Sequence, residues 1–130
     1  MTHTNEDCVV ANVIEEARWG GPQRRIVDVA RRLKAHGVRT VVIMPEANSE
    51  LFAQELAANG IDFRRLPLQP RARGAANIAR FIATFARDIR AIRRVLAETG
   101  ADLVHCNGSP QWKGVLAARS AGIPALWHMN

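Results

Sequence analysis

Four times in this 130-residue chain the same punctuation recurs: His36-Gly37-Val38, Asn59-Gly60-Ile61, Thr99-Gly100-Ala101 and Ala121-Gly122-Ile123. Each glycine follows a stretch of helical periodicity and precedes a short apolar run. Glycine reaches the left-handed conformation that closes a helix, so the chain can drop directly into a strand. A chain that alternates helix and strand through such short joints forms a parallel sheet with helices on its faces.

The apolar spacing supplies the elements. Strands are predicted at Cys8–Ile14, Val38–Met44, Ile61–Leu66, Asp102–Cys106 and Pro124–Met129. Between Pro22 and His36 the apolar residues Ile26, Val29, Ala30 and Leu33 advance at helical spacing, with Pro22 suited to the first turn. A short helix is expected from Asn48 to Ala58, capped by Asn48 or Ser49. The longest runs from Ala75 to Glu98, where Ile78, Phe81, Ile82, Phe85, Ile89, Ile92 and Leu96 form one stripe predicted to be buried. Ser109-Pro110 reads as a cap and first turn of a helix ending at Ser120. The fold class is α/β: a Rossmann-like open parallel sheet, helices on both faces, strand order 3-2-1-4-5, in a single domain spanning 1–130.

Composition excludes several classes. Apolar residues are 48% and charged residues 23%, which excludes a disordered tail, a collagen-like fibre or a disulfide scaffold. Cys8 and Cys106 are far apart and lack CxxC partners, and both read as reduced, buried thiols. The polar, acidic N-terminus is unlike a signal peptide, and no apolar run approaches a membrane span. The expected location is cytoplasmic, extending to peripheral contact at the inner face of the membrane.

The net charge is +6, and 16 of the 18 basic residues are arginine. Nine arginines and one acid, Asp88, lie between Arg64 and Arg94. Arg80, Arg87, Arg90 and Arg94 fall opposite the apolar stripe. A solvated helix face is the ordinary reading. Contact with an anionic lipid surface or a phosphate-bearing acceptor is the functional one. No aromatic residues interleave with these arginines and the chain has no tyrosine, so nucleic acid is not the expected partner.

In an open parallel sheet, ligands bind beyond the carboxyl ends of the strands where the strand order reverses. Here that is the edge between strands 1 and 4. The loop Glu15–Gln23, the segment Asn107-Gly108-Ser109-Pro110 and the end of strand 5, Trp127-His128, converge there. Gly20-Gly21 ahead of a helix start would let a phosphate approach backbone N–H groups. The chain has no GxGxxG, no P-loop, no Asp-x-Asp pair and no zinc spacing among its four histidines. His128 has a catalytic and a structural reading. His105 reads rather as a core or supporting group. Trp19 and Trp112 are expected to flank the cleft.

These residues carry a resemblance. Gly20-Gly21-Pro22-Gln23, the helix ending Leu33-Lys-Ala-His-Gly37-Val38 and Thr40-Val-Val-Ile-Met-Pro45 resemble the opening of family 4 glycosyltransferases of GT-B architecture. Gly60-Ile61 through Leu66-Pro67 resembles their third strand. Ala101-Asp102-Leu-Val-His105 and Gly122-Ile123-Pro124-Ala-Leu-Trp-His128 resemble their fourth and fifth. The resemblance implies transfer of a sugar from a nucleotide-sugar donor, with retention and without a cofactor or bound metal. It implies that Gly20 and Gly21 face the donor diphosphate, that Gln23, Asn107 and Ser109 lie on the acceptor side, and that His128 lies beside the transferred sugar as the catalytic residue. Asn107 stands where many relatives have a second histidine. The acceptor is a glycan, a lipid or a small molecule. The family's paired donor-binding glutamates belong to a C-terminal Rossmann domain absent from this chain, so the chain alone is expected to be inactive. The alternative is a stand-alone flavodoxin-like binding or regulatory module, since the same sheet order serves both.

Overall fold

The computed structural model describes residues 8–68, 75–108 and 112–128. Its elements alternate as β1 (Cys8–Ile14), α1 (Gly21–Lys34), β2 (Val38–Pro45), α2 (Glu50–Ala58), β3 (Asp62–Leu66), α3 (Ala75–Thr99), β4 (Leu103–Asn107), α4 (Trp112–Ser120) and β5 (Ala125–His128). All strand pairs are parallel, in the order β3-β2-β1-β4-β5. This is the predicted order, and the four joint glycines all take positive φ, between 67° and 78°.

Side chains alternate across the strands and so build two cores. Val13, Val41, Ile43, Val104 and Cys106 pack under Ile92, Val95 and Leu96 of α3 and Ala117 and Ala118 of α4. On the other face Ile14, Val42 and Met44 pack under Ile26, Val27 and Ala30 of α1 and Phe52 and Leu56 of α2. Register places Val13 between Ile43 and Cys106, and Asn107 between Ile14 and His128.

Several local expectations differ. The second helix begins at Glu50, and neither Asn48 nor Ser49 caps it with a side chain. Ser49 instead donates its hydroxyl to the Glu46 carbonyl at 2.7 Å, and Asn48 sits at φ 57°. Asp102 precedes β4, because its carboxylate accepts the Val9 N–H at 2.8 Å and ties the strand's start to β1. Cys8 is exposed at the mouth of β1, whereas Cys106 is buried, with its thiol pushed up to about 11 by desolvation. The Ser109-Pro110 helix start lies outside the described residues. β5 is an edge strand, as the predicted order has it, and Ala125, Leu126 and His128 are exposed.

The α3 stripe is buried over only part of its length. Ile92 and Leu96 are fully buried, but Ile78 is 52% and Ile82 68% exposed. Twenty-five helical residues span about 38 Å, roughly twice a five-residue strand, so the N-terminal half outruns the sheet. The helix is fastened where cover ends: Asp88 is buried and held by Lys113 of α4 and by Arg87.

Candidate functional site

At the carboxyl ends of β1 and β4 lies a cavity of about 420 Å³. Its walls are the β1–α1 loop, from Glu15 through Gly20, the first turn of α1 with Gln23 and Arg25, and Asn107 with Gly108 from the end of β4. This is the edge where the strand order reverses, and helix and loop are set there by short-range chemistry.

The loop is braced from within. Gln23 is buried, and its Nε2 donates to the Glu16 carbonyl at 2.7 Å. The Arg18 N–H donates to the Glu16 carboxylate at 3.0 Å. Trp19 leans on Phe52 of α2, ring centroids 6.1 Å apart, with the Arg24 guanidinium 5.8 Å from its own centroid. Gly20 is the N-cap of α1 with extended backbone. The first turn has no side-chain cap and no acidic residue, so its positive end is left uncompensated. Gly20 lines the cavity, and a Cβ there would lie 3.3 Å from the Gln23 Oε1. A Cβ on Gly21 would meet nothing within 4 Å.

The β4 wall rests on buried amides. Asn107 donates its Nδ2 to the Oδ1 of Asn12 on β1. Gly108, at φ 97°, is held on both sides: its N–H donates to the His128 carbonyl at 3.0 Å, and its carbonyl accepts the Trp127 Nε1–H at 2.8 Å. The end of β5 is thereby tied to the cavity wall. His128 is exposed beside it, its ring parallel to that of His105 within 8° at a centroid distance of 5.9 Å. Burial lowers the His105 pKa, and the nearby His128 and Arg25 lower it further.

Gly20, Gln23 and Asn107 therefore meet at one cavity, with Gly21 and His128 at its margins. Ser109 lies outside the described residues. Trp19 lines the cavity, but Trp112 does not: it stands 55% exposed on the other side of the sheet, edge-on to Trp127 at 5.0 Å. Arg25 and Asn12 went unremarked in the sequence. Asn12 had a signal, as an amide inside an apolar strand. Among the described residues no group of three or more His, Cys, Asp or Glu is placed to hold a metal.

A family model for the glycosyl transferase 4-like domain matches residues 20–130, from the first glycine of this loop to the end of the chain. The chain belongs to that family. The glycosyl transferase 4-like domain is 32% identical over 107 residues to a Clavibacter sepedonicus protein named UDP-N-acetylglucosamine--N-acetylmuramyl-(pentapeptide) pyrophosphoryl-undecaprenol N-acetylglucosamine transferase, covering 79% of this chain and 29% of that protein. Two solved structures share its fold at a TM-score of 0.71: a glycosyltransferase from Rickettsia africae, at 18% identity over 93% of this chain and 29% of that one, and MurG from Acinetobacter baumannii, at 24% identity over 94% and 35%. The domain thus spans about a third or less of the length of these three proteins. The family assignment leaves the flavodoxin-like module reading without support.

Proposed function

We propose that this domain forms the acceptor side of a nucleotide-sugar glycosyltransferase, with the donor nucleotide held by a second Rossmann domain beyond this chain. The observation that carries the reading is the cavity at the β1–β4 edge, onto which the uncompensated N-terminus of α1 opens beside Gly20. Backbone N–H groups at a helix start favour a diphosphate. Gly20 and Gly21 take the donor diphosphate, Gln23, Asn107 and Ser109 the acceptor side, and His128 the reacting sugar. The matched relative's name suggests UDP-N-acetylglucosamine as the first donor to try and a lipid-linked acceptor. The reading includes no cofactor and no metal, so a chelator is expected to leave the rate unchanged.

Breaking the bond to the diphosphate builds positive charge on the sugar ring. The enzyme must steady the leaving phosphates and align the acceptor hydroxyl. A polar group such as His128 beside the ring hydrogen-bonds the sugar as this charge develops. In the full-length protein, His128→Ala is expected to lower kcat by roughly 10²-fold, the size typical of a positioned polar group. Gly21→Val is expected to weaken donor use while leaving folding intact, since a Cβ there meets nothing. The 130-residue chain by itself is expected not to turn over. Unchanged turnover in His128→Ala, with a folded protein, would remove the site assignment. Retention, which the family resemblance implies, is read from the anomeric configuration of the product, and an inverted product overturns that part.

The exposed half of α3 supports a second surface. Ile78 and Ile82 are exposed large apolar side chains of α3, and Arg80, Arg87, Arg90 and Arg94 are exposed on the face of the helix opposite them. An exposed apolar stripe with arginines on the other face of the same helix suits an anionic bilayer. No helix among the described residues is long and apolar enough to cross a membrane. The reading is a cytoplasmic domain that touches the inner face of the membrane through α3.

A further inference from the structure

Two buried amides stand in the wall of the cavity at the β1–β4 edge, and both commit the same end to the protein. Gln23, 3% exposed, donates its Nε2 to the Glu16 carbonyl at 2.7 Å. Asn107, 9% exposed, donates its Nδ2 to the Oδ1 of Asn12 and turns it toward the Val13 and His105 carbonyls, each at 3.4 Å. Only the NH2 end of an amide donates to a carbonyl, so these contacts fix which end of each side chain is which.

The carbonyl ends are left over. Among the described residues the one buried side-chain nitrogen or oxygen that is both closed off and unpartnered is the Thr40 hydroxyl, on β2. The Gln23 Oε1 and the Asn107 Oδ1 accept no hydrogen bond among the described residues and are not closed off, so each keeps a face open to the cavity that both residues line. Gly20 keeps the first of them clear, since a Cβ there would lie 3.3 Å from Oε1. Buried polar atoms are ordinarily satisfied, so two bare acceptors in the wall of one cavity point to donors that a ligand brings. Charge at the rim does not take over that role: Glu15, Glu16, Arg18 and Arg25 bring two of each sign.

Resting on the acceptor-side reading, we propose that Gln23 and Asn107 select the acceptor by taking hydrogen bonds from two of its hydroxyls, so that its reacting end is a polyhydroxylated ring. A hydroxyl can donate to either oxygen. A phosphate or carboxylate brings only acceptors, is repelled by both oxygens, and is left to the N–H groups at the start of α1. Trp19 lines the same cavity and supplies apolar surface for the C–H side of such a ring.

The test is an NMR titration of this chain with methyl β-glucopyranoside, followed at the side-chain NH2 signals of Gln23 and Asn107. Its tetra-O-methyl derivative is the control: the ring and every oxygen remain, but no hydroxyl is left to donate. The glucoside is expected to shift both signals saturably, and the derivative is not. Gln23→Met is expected to weaken binding about five- to tenfold, the size of one lost neutral hydrogen bond. Gly20→Ala crowds Oε1 but leaves the Nε2 bond in place; it is expected to weaken binding too, so refutation stays possible even if Gln23→Met perturbs packing. Absence of saturation, equal binding of the methylated derivative or an unchanged affinity in either folded variant overturns the proposal. Turnover by the full-length protein tests the glycosyltransferase reading separately: turnover without glucoside binding here would remove the hydroxyl selection and leave that reading standing, and saturable binding without turnover would do the reverse.

Discussion

The ammonium of Lys113 lies 2.6 Å from the Oδ2 of Asp88, and the Asp88 side chain is 1% exposed. Arg87 takes the other carboxylate oxygen at 3.1 Å and also donates to the Pro67 carbonyl at 3.2 Å. One carboxylate thus joins α3, α4 and the segment after β3. Removing one partner strands a buried charge, whereas replacing both can be close to neutral. Asp88→Ala is expected to cost about 3–5 kcal/mol in urea unfolding. The double variant Asp88→Leu/Lys113→Met is expected to recover most of it. Equal losses in single and double variants would mean that packing, not charge, is what Asp88 supplies.

Gly114 faces the sheet from the first turns of α4. A Cβ there would lie 2.9 Å from the Cys106 Sγ and 3.1 and 3.2 Å from Val13 Cγ1 and Cβ. Alanine is favoured over glycine inside a helix by about 1 kcal/mol. Overpacking a rigid core costs about 1–3 kcal/mol. Three close contacts on two fully buried side chains decide for the second effect. Gly114→Ala is expected to lower the unfolding midpoint, and adding Cys106→Ala to restore part of it. A rise in midpoint on the single substitution would show that α4 can shift outward freely.

The parallel order, the helix count and the meeting of three segments at one edge were legible because they depend on local signals: apolar period and glycine joints. What was not legible depends on neighbours. The α3 period identified one face but carried no information on how long the surface beneath it is, so Ile78 and Ile82 read as core. Pro124–Met129 has the apolar run of a buried strand, but the predicted order already put it at the sheet's edge, where Ala125, Leu126 and His128 are exposed. Asp88 and Lys113 are 25 residues apart, and no periodicity links them. In the site, Gly20 and Asn107 were found from their place at strand ends. Arg25 and Asn12 act through contacts across the chain that no spacing encodes.

His105 makes stability depend on pH. Its pKa is lowered below the ordinary 6.5 by burial, then by His128 and Arg25. The unfolded chain therefore binds more protons than the folded one between the lowered value and 6.5. Stability rises with pH across that window, is fully present above 6.5 and is lost progressively below it. Urea midpoints at pH 5 are expected to fall below those at pH 7.5, with His105→Gln flattening the difference. An unchanged slope in that variant would assign the pH dependence to other groups.

The apolar half of α3 yields the last expectation. Burying an isoleucine side chain contributes about 1.5–3 kcal/mol, and the part of Ile78 and Ile82 still open to water is 52% and 68%. Entry of both into a bilayer interface would then contribute about 2–4 kcal/mol together. Each arginine near an anionic surface adds about 1 kcal/mol, and salt screens that share while leaving the apolar one. Co-sedimentation with vesicles containing phosphatidylglycerol is expected to show binding that neutral phosphatidylcholine vesicles do not support. Ile78→Glu/Ile82→Glu is expected to weaken it more than tenfold at any salt concentration. Arg80→Gln/Arg90→Gln is expected to weaken it mainly at low salt. Those two responses separate an inserted tip from simple adsorption of a cationic protein: adsorption would be lost in high salt and indifferent to the isoleucines, and that pattern would remove the bilayer contact from this helix.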